Sequence, residues 1–488
     1  MLTPYTKFMH SDLDLKKIQK VYCIGIGGIG LSAVARYFLH HQAVVAGSDI
    51  SAEGLVIDLL QKDGISKIFR NHIAENIFEF FQKEIQENEE IKETEEKIKE
   101  NKNFSQNLAA DNSGNNLVIY TIAIDKNSNQ EFLEAKRLGL TTLSYPEVLG
   151  LITKKYQTIA VCGTHGKTTT TAMTYFALKE AGIQANVIVG SLIKNELGQQ
   201  TNFINGQPDK NGQEYLIVEA CEYQRSFLNL WPQYILITNI EADHLDYYKD
   251  LADIQDAFLT FRNKTNVQKV FEHDESDNNI SKIDLTVLGQ HNQENAKLVL
   301  KLGQHLNLNE EKLRAGLKKF TGTWRRMEFK GEISLENNIV QIYDDYGHHP
   351  TEIKATLSAL REKYVTENLI IVFQPHLYSR TQIFLQEFSE SFDLADKVFI
   401  LPIYAAREKF NPNISSQILV DKINQIQNQK AEFVQDFSEA KEKVLEYFEK
   451  LNSEPKNLKE NLLLLTIGAG QAYKVGEMIL NQFQTFDL

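Results

Sequence analysis

The sequence predicts an α/β protein made of three consecutive α/β domains. The chain has 488 residues, and an average domain has about 150. Apolar strand-like segments alternate with helix-like segments along most of the chain, which is typical of parallel sheets. Three segments follow the order strand, glycine turn, helix, as nucleotide-binding folds do. We therefore expect domains at 1–153, 154–321 and 322–488, the first and last Rossmann-like and the middle one of the P-loop type.

Composition excludes several classes of function. Lys and Arg total 52 against 65 Asp and Glu, a net charge of −13, whereas a nucleic-acid binder needs a basic surface. An anionic membrane does not attract an acidic chain, and no uncharged apolar run reaches about eighteen residues. The N-terminus is charged where a signal peptide would be apolar. We expect a cytoplasmic protein with no nucleic-acid or membrane partner.

The three cysteines give no sign of a disulfide framework or a zinc site. Cys23, Cys162 and Cys221 lie far apart, with no CxxC pair and no histidine at zinc spacing. Each is most simply a small buried residue that packs in a core.

The first domain opens with a glycine motif between two predicted strands. VYCIGIGG is a strand and turn, IGLSAVARYFLHH a helix and AVVAGSD the next strand. Gly25, Gly27 and Gly30 match GxGxxG, in which glycines let a pyrophosphate approach the helix N-terminus. Asp49, at the end of the next strand, is placed to accept a hydrogen bond from a ribose hydroxyl. By itself the motif fits an NAD-dependent dehydrogenase, another diphosphate nucleotide or purely structural glycines.

Residues 82–116 interrupt this pattern. The stretch KEIQENEEIKETEEKIKENKN is rich in Glu, Lys and Asn, has no aromatic residue and therefore lacks the apolar surface of a core. We interpret the segment as an inserted exposed helix or disordered loop that carries no chemistry. Strand and helix patterns resume at LVIYTIAI and QEFLEAKRLGL.

A second glycine motif follows the strand TIAVCG. Two residues separate Gly163 from Gly166, and Lys167 and Thr168 come next. At the start of a helix a lysine can reach the β- and γ-phosphates of ATP, and a threonine hydroxyl can bind Mg²⁺. The ordinary P-loop has four residues between its glycines. The motif therefore predicts an ATP site, and its short loop argues against a generic motor ATPase or GTPase.

Acidic residues and a histidine follow the next two strands of the middle domain. Glu219 ends EYLIVE, and Asp243 and His244 follow YILITNI. The carboxyl ends of parallel strands meet at one edge of a sheet, where ligands bind. Carboxylate oxygens and an imidazole can complete a partly hydrated Mg²⁺ shell beside phosphates. Singly, each residue would more often be a helix cap or a solvated charge; together with the glycine loop they indicate a magnesium site.

The third domain adds polar clusters after predicted strands. They are DDYGHHP (344–350) and QPHLYSR (374–380), preceded by the arginine pair 325–326. A two-histidine metal site is one interpretation of the first cluster, but Pro350 argues for a fixed loop. Paired arginines suit a phosphate or a carboxylate, with surface solubility as the alternative. LGQHNQEN (288–295), taken alone, looks like a helix start.

In this order the motifs resemble the Mur ligase family. The resemblance covers nearly the whole chain except the 82–116 segment. GTHGKTTT is typical of this superfamily of ATP-dependent ligases, and DDYGHHP with FQPH narrows the resemblance to the branch that adds L-alanine. The other motifs that carry it are GIGGIGLSA, TNIEADHLDYY, LGQHNQEN and GAGQAYKVGE.

The resemblance implies a substrate for each domain. In the first domain it implies UDP-sugar contacts from Gly25, Gly27, Gly28, Gly30, Asp49 and Thr121. It implies ATP contacts from Gly163, Thr164, His165, Gly166, Lys167, Thr168, Thr169, His291, Asn292, Asn295, Arg326 and Asp345. The Mg²⁺ ligands that it implies are Thr168, Glu219 and His244. The residues that it implies around the muramyl carboxylate and the amino acid are Tyr346, His348, His376 and Arg380.

The implied activity is an ATP-dependent ligation in peptidoglycan precursor synthesis. The lactyl carboxylate of UDP-N-acetylmuramate attacks the γ-phosphate of ATP, and L-alanine then displaces phosphate from the acyl phosphate. Positive charge offsets the repulsion between the two anions, and His348 or His376 takes the ammonium proton. The residues implied in catalysis are Lys167, Glu219, His244, Arg326, His348, His376 and Arg380. The implied partners are these three small molecules, bound by a monomer or weak homodimer.

Three departures from the family pattern modify these expectations. Leu377 stands where many relatives have a basic residue, which predicts a weaker substrate contact. Cys221 stands where many have Asp, and only about forty-five residues separate Asp243 from Gly289, which predicts a shortened central sheet. The alternatives are a ligase that recycles a tripeptide onto the same UDP sugar, an NAD-dependent oxidoreductase with an accessory ATPase domain, and a catalytically silent scaffold.

Overall fold

The chain packs as two compact units. The first comprises Met1–Gly163, Leu178–Ile237 and Gln255–Glu272, and the second Thr164–Ala177, Thr238–Ile254 and His273–Leu488. The structure is a computed structural model, and it describes residues 13–50, 54–65, 67–87, 115–195, 198–245, 247–274, 278–335, 338–406, 408–427, 429–453 and 461–484. Most of the predicted insert, residues 88–114, lies outside the described residues.

The N-terminal sheet of the first unit has five parallel strands in the order β3-β2-β1-β4-β5. They are β1 Lys20–Ile24, β2 Val44–Ser48, β3 Ile68–Phe69, β4 Asn116–Tyr120 and β5 Thr141–Ser144. The helices are α1 Ile29–His40, α2 Leu55–Lys62, α3 Ala74–Glu87, α4 Gln130–Arg137 and α5 Tyr145–Thr153. Every residue of β1 is buried, as expected of a central parallel strand. The strand order reverses direction at β1, which places the first glycine loop at the ligand-binding edge.

The central sheet, also in the first unit, has six strands in the order β11-β10-β6-β9-β7-β8, of which only β8 is antiparallel to its neighbour. They are β6 Gln157–Cys162, β7 Asn186–Lys194, β8 Gln200–Ile204, β9 Tyr215–Glu219, β10 Tyr234–Ile237 and β11 Lys269–Phe271. The helices between or after these strands in the chain are α6 Lys167–Glu180, α7 Leu251–Arg262, α8 Gln290–His305 and α9 Glu310–Lys319. The described part of the short connection between Asp243 and Gly289 thus includes the α-helix α7 and the edge strand β11.

The C-terminal sheet of the second unit has the order β12-β13-β17-β14-β15-β16, with only β12 antiparallel. Its strands are β12 Glu328–Leu335, β13 Asn338–Asp345, β14 Asn368–Phe373, β15 Lys397–Ile400, β16 Ala431–Phe433 and β17 Asn461–Ile467. Its helices are α10 Pro350–Lys363, α11 Tyr378–Ile383, α12 Leu385–Ser389, α13 Ser416–Gln427, α14 Phe437–Ser453 and α15 Tyr473–Gln484. Asp345, Ile467 and Phe373 are in register on three adjacent strands. The polar segments that follow β13 and β14 therefore begin at the same sheet edge.

The three mainly parallel sheets, whose strands alternate with helices along the chain, confirm the α/β fold class. The domain boundaries at 153/154 and 321/322 stay predictions. Separate apolar clusters fill the two faces of the C-terminal sheet, one around Phe373 and Phe392 and the other around Phe399 and Phe448. Within the described parts of the chain, none of the helices has the length and apolar character that a bilayer crossing requires.

One cysteine differs from expectation. Cys23 and Cys162 are buried within strands β1 and β6, as predicted, but Cys221 is exposed. It lies two residues beyond the end of β9, where the chain has left the sheet, so the prediction that Cys221 is a packing residue is wrong.

Candidate active site

The second glycine loop turns the chain from β6 into α6. The backbone N–H of Thr164 donates to the Asn239 carbonyl (3.0 Å), and that of His165 donates to Asn239 Oδ1 (2.9 Å). Lys167 is the first residue of α6, and its Nζ donates to the Thr164 carbonyl (2.9 Å). The segment after β10 therefore holds this loop. The helix N-terminus adds backbone N–H groups and a positive dipole end, which suit a phosphate.

Gly166 has no room for a side chain. Its φ is +80°, and a β-carbon there would lie 2.9 Å from Asn295 Oδ1. Asn295 and Asn292 are buried on the first turns of α8, which confirms that LGQHNQEN starts a helix. Asn292 Nδ2 donates to the Leu288 carbonyl (2.6 Å). The absence of a β-carbon at Gly166 thus allows α8 to pack directly against the loop.

These elements surround a cavity of about 210 Å³ in the second unit. The predicted ATP residues that line it are His165, Gly166, Thr169, His291, Asn292, Asn295, Arg326 and Asp345. Thr164, Lys167 and Thr168 belong to the same unit but do not line this cavity, and Gly163 belongs to the first unit. Val287, Phe320 and Met327 add apolar wall, so the cavity combines an apolar surface with a few convergent polar groups, as nucleotide sites do.

The two adjacent arginines at the start of the C-terminal domain have different roles. Arg325 is buried: its Nε donates to Asp344 Oδ2 (2.8 Å), and its Nη atoms donate to the carbonyls of Gly468 and Gly470. Arg326 lines the cavity, with its Cζ 5.1 Å from the centre of the Tyr346 ring. Only Arg326 of the pair is therefore placed to meet a phosphate.

Asp345 contributes a second polar group at the edge of the C-terminal sheet. Its Oδ2 accepts the backbone N–H of Met327 (2.7 Å), and its Oδ1 accepts that of Gly347 (2.7 Å). Burial raises the pKa of Asp345 to about 6, although Arg326 opposes this. The carboxyl group thus bonds both the loop before β12 and the loop after β13.

The predicted amino-acid residues form one cluster, and their hydrogen bonds define the histidine tautomers. His348 Nδ1 donates to the Tyr346 carbonyl (3.0 Å), so its Nε2 carries the lone pair. His376 Nδ1 accepts from Arg380 Nη1 (2.9 Å), so its Nε2 carries the hydrogen. The centroids of the His348 and His376 rings lie 5.5 Å apart. Burial lowers the pKa of His348 to about 4, which keeps this imidazole neutral at neutral pH.

Arg380 is held by a buried acid from the segment after β10. Arg380 Nη2 donates to Asp243 Oδ1 (2.7 Å), and both side chains are at most 7% exposed. Burial alone would raise the pKa of Asp243, but Arg380 and then His244 hold it well below its ordinary value. The nearby Leu377 is itself buried at the N-cap of α11, so it packs in the protein and presents no polar group.

Three further polar residues at this site were not among those predicted. Glu352 Oε1 lies 3.2 Å from His165 Nδ1, and Glu241 Oε2 accepts the Thr351 hydroxyl (3.2 Å). His349 is the N-cap of α10. The sequence signal for Glu352 was a capping box, a Glu three residues after the N-cap. For Glu241 the only signal was its place in the motif NIEADH.

His165, Glu241 and His349 bring potential metal ligands within 4.8 Å of one another. However, the backbone N–H of Thr351 donates to His349 Nδ1 (3.3 Å). In the neutral ring the hydrogen must then be on Nε2, which removes the lone pair that would bind a metal. The geometry of His349 therefore favours a role as a hydrogen-bonding helix cap over a role as a metal ligand.

The predicted magnesium ligands occupy both units. Thr168 and His244 belong to the second, where His244 adopts φ +54° and its backbone N–H donates to Asp243 Oδ1 (2.7 Å). Glu219 belongs to the first, at the end of β9, where its Oε2 accepts the Gly190 N–H (2.8 Å). Thr168 and His244, which lie in the same unit, offer a hydroxyl and an imidazole, donors that fit part of a hydrated Mg²⁺ shell.

The first glycine loop is a separate site in the first unit. Gly27 donates its N–H to Asp49 Oδ2 (2.9 Å). Asp49, which follows the end of β2, therefore forms a hydrogen bond with the glycine loop itself. Gly25 has φ +85°, and a β-carbon there would lie 2.5 Å from Thr121 Cγ2. Gly28 is the N-cap of α1, and a β-carbon at Gly30 would lie 2.8 Å from the Tyr145 ring. The structure thus brings together the residues predicted for the UDP sugar.

A buried carboxylate that was not predicted lies behind this loop. Glu131 is fully buried and accepts hydrogen bonds from the Tyr22 hydroxyl (2.7 Å), the Ser48 hydroxyl (2.6 Å) and Asn76 Nδ2 (2.7 Å). His72 Nδ1 lies 2.8 Å from the same carboxylate. The Ser48 carbonyl in turn accepts the N–H groups of residues 25 and 26. These contacts fix the strand end that carries Asp49.

Family models match most of the chain. The model of the Mur ligase family catalytic domain matches residues 20–157, that of the Mur ligase middle domain 161–276, and that of the Mur ligase glutamate ligase domain 325–452. The UDP-N-acetylmuramate–L-alanine ligase of Acetivibrio thermocellus is 36% identical, over 97% of this chain and 98% of that protein. That of Caldanaerobacter subterraneus subsp. tengcongensis is 34% identical, over 96% and 99%.

Solved structures share the fold. The UDP-N-acetylmuramate-alanine ligase of Thermotoga maritima superimposes with a TM-score of 0.71 at 24% identity, over 96% of this chain and 99% of that one. A murein peptide ligase of Psychrobacter arcticus gives 0.59 at 18% identity, over 95% and 98%. With three family models along its length and relatives above 30% identity over nearly all of it, this chain belongs to the Mur ligase family.

Proposed function

We propose that the protein joins L-alanine to the lactyl carboxylate of UDP-N-acetylmuramate at the expense of ATP. The observation that carries the proposal is the cavity of the second unit, which the second glycine loop, Asn295, Arg326 and Asp345 line. Glu352 of the same lining lies 3.6 Å from His348, which belongs to the cluster of His348, His376 and Arg380. Two full-length relatives bear the name of this activity. The UDP sugar binds at the first glycine loop, through the Gly27 and Asp49 region.

In the first step an oxygen of the sugar carboxylate bonds to the γ-phosphorus of ATP, the bond from that phosphorus to the β,γ-bridging oxygen breaks, and ADP leaves an acyl phosphate behind. The backbone N–H groups at the start of α6 and the ammonium of Lys167 hold the phosphates, and Arg326 supplies a second cation at the cavity wall. Thr168 and His244 of the second unit would hold Mg²⁺, which would neutralise charge at the phosphates; the place of Glu219 among the ligands stays a prediction. These groups offset the repulsion between a carboxylate and a triphosphate, so the site needs cations more than it needs a base.

The second step joins the amine to the acyl phosphate. The alanine nitrogen, freed of one ammonium proton, bonds to the acyl carbon, the bond from that carbon to the phosphate oxygen breaks, and inorganic phosphate leaves with the second N–H proton. His348 Nε2, with its lone pair, accepts the ammonium proton. His376 donates its Nε2–H to the alanine carboxylate, and Arg380, which is already paired with Asp243, orients His376 through Nδ1. His348 is thus the proposed base, and His376 a hydrogen-bond donor.

Phosphate release with omission of single components tests the proposal. Release from Mg·ATP should require both UDP-N-acetylmuramate and L-alanine, with a product heavier by one alanyl residue. Release with a tripeptide but not with alanine would identify the recycling ligase instead. Release with neither acceptor would reject the ligase proposal for this chain. Because the substrates are ATP and a nucleotide sugar, we place the reaction in the cytoplasm, and the monomer or weak homodimer stays a prediction.

A further inference from the structure

Glu352 is a mostly buried carboxylate that lines the cavity of the second unit and contacts residues from three segments of it. Its Oε2 accepts the backbone N–H groups of His348 (2.8 Å) and His349 (3.2 Å). Its Oε1 lies 3.2 Å from His165 Nδ1 and 3.5 Å from Arg326 Nη1. The side chain is 11% exposed, so these contacts largely replace water around both oxygens.

Helix capping explains only part of this arrangement. Glu352 is the third residue of α10 and bonds the N-cap residue His349, as a capping box requires. Glu439, the third residue of α14, has a comparable local role in the same domain, since its Oε2 accepts the Gln435 N–H (2.6 Å) at the surface. A glutamate that only caps a helix needs no partner outside its own turn, whereas Glu352 also contacts His165 of the second glycine loop.

The imidazole of His348 is the reactive group beside this carboxylate. His348 Nδ1 donates to the Tyr346 carbonyl and lies 3.6 Å from Glu352 Oε2. The Tyr346 carbonyl and Glu352 Oε2 both favour the tautomer with the hydrogen on Nδ1, so the lone pair is on Nε2. Burial lowers the pKa of His348, and the negative charge of Glu352 opposes that lowering. The carboxylate therefore makes the imidazole a better proton acceptor, as carboxylates do for metal-bound histidines.

We propose that Glu352 is a positioning residue for proton removal from the incoming amine. It acts through His348, whose Nε2 receives the ammonium proton while the new C–N bond forms and phosphate leaves. His165 and Arg326 hold Glu352 in place from the ATP side of the cavity. The inference rests on the proposed function, which supplies both the acyl phosphate and the amine.

The test compares L-alanine with hydroxylamine as acceptor of the acyl phosphate. Hydroxylamine is largely unprotonated at neutral pH and needs no base, whereas the amine of alanine is largely protonated. Phosphate release is measured with each acceptor at saturating ATP and UDP-N-acetylmuramate for the wild type, Glu352→Gln, Glu352→Asp and the control Glu439→Gln. Thermal unfolding shows which variants are folded.

We expect Glu352→Gln to lower kcat with alanine about 10- to 100-fold, the usual loss when a group that orients a functional histidine is removed. The rate with hydroxylamine should change far less. Glu352→Asp, which keeps the charge, should retain more of the alanine rate, and Glu439→Gln should match the wild type with both acceptors.

Equal losses with both acceptors would overturn the inference, and so would an alanine rate in Glu352→Gln equal to that of Glu439→Gln. If Glu352→Gln does not fold, Glu352→Asp decides, because its ratio of alanine rate to hydroxylamine rate must fall below that of the wild type. A wild type that releases no phosphate with alanine would instead reject the proposed function.

Discussion

The two glycine loops of this protein follow the same strand–turn–helix plan but are held by different partners. In the first loop the Gly27 N–H donates to the carboxylate of Asp49. In the second, the His165 N–H donates to the neutral amide of Asn239, and a lysine follows at the helix start. The first loop thus carries a negative charge among its amides, whereas the second carries a positive one.

This difference suits two phosphate groups with different tasks. A diphosphate that only anchors a substrate needs few cations, and an adjacent acid can accept hydrogen bonds from the attached nucleoside. A triphosphate that reacts with a carboxylate must have its charge offset as the reaction proceeds, so it needs a lysine in addition to the N–H groups at the helix N-terminus. We therefore expect substitutions in the second loop to affect turnover and substitutions in the first to affect binding of the UDP sugar.

Removal of the lysine charge should have the largest effect. Lys167→Ala should lower turnover by roughly 10²–10³-fold, as loss of a preorganised charge contact does. Phosphate release under saturating substrates measures it. Lys318→Ala, at an exposed surface pair with Asp284, is the control and should resemble the wild type. Near-normal turnover of Lys167→Ala would remove the distinction between the two loops.

A methyl group at Gly166 tests how closely α8 packs against the second loop. Gly166→Ala forces a β-carbon to 2.9 Å from Asn295 Oδ1 at φ +80°, so kcat/KM for ATP should fall roughly 10- to 100-fold, as 1–3 kcal/mol of local strain predicts. Gly182→Ala is matched in backbone strain, since φ is +98° and no atom lies within 4 Å of the added carbon. Equal kinetics for the two variants would show that the contact with Asn295 is unimportant.

The surroundings of the second loop also predict a pH effect on stability. Burial lowers the pKa of His348 to about 4, against an ordinary value of about 6.5. Between these two values the unfolded chain binds a proton that the folded protein excludes, so stability falls as the pH falls through this window. Relative to His348→Asn, the wild type should lose up to about 3 kcal/mol of unfolding free energy. Urea unfolding at pH 7 and pH 4.5 measures the difference, and parallel changes in both proteins would contradict it.

The acid of the first loop should affect one substrate only. Asp49→Asn weakens the bond to the Gly27 N–H and removes the acceptor charge, so KM for UDP-N-acetylmuramate should rise about tenfold, the usual worth of a charge-assisted hydrogen bond. KM for ATP and kcat should stay near wild type. Asp58→Asn, on the exposed face of α2, is the control. A fall in kcat with unchanged KM for the UDP sugar would argue against separate roles for the two loops.

The segment between α3 and β4 should matter least. Its composition predicts no chemistry, and α3 continues to Glu87 while β4 begins at Asn116. Replacement of residues 88–114 by a Gly/Ser linker of equal length should change kcat and both KM values by less than about twofold, as surface changes away from a site usually do. An increase in KM for the UDP sugar alone would show that the segment contributes to the first site.

Local patterns were sufficient to predict much of the molecule. Strand, glycine turn and helix are adjacent in the chain, so β1 with Gly25 and β6 with Gly163 could be predicted with their loops. Polar clusters were also predicted after the strands that became β13 and β14, and the structure places both at one sheet edge, because parallel strands end together. These features depend on interactions over a few residues and on one rule of topology.

The sequence by itself therefore determined the α/β class, the two glycine loops and most residues named for the candidate site. Only the tertiary structure decided that Arg325 is buried while Arg326 faces the cavity, and that Cys221 is exposed. It also decided that Glu352 reaches His165, a contact between residues 187 positions apart in the chain. Burial, tautomer and charge pairing depend on which distant segments meet, and neither spacing nor composition encodes that directly.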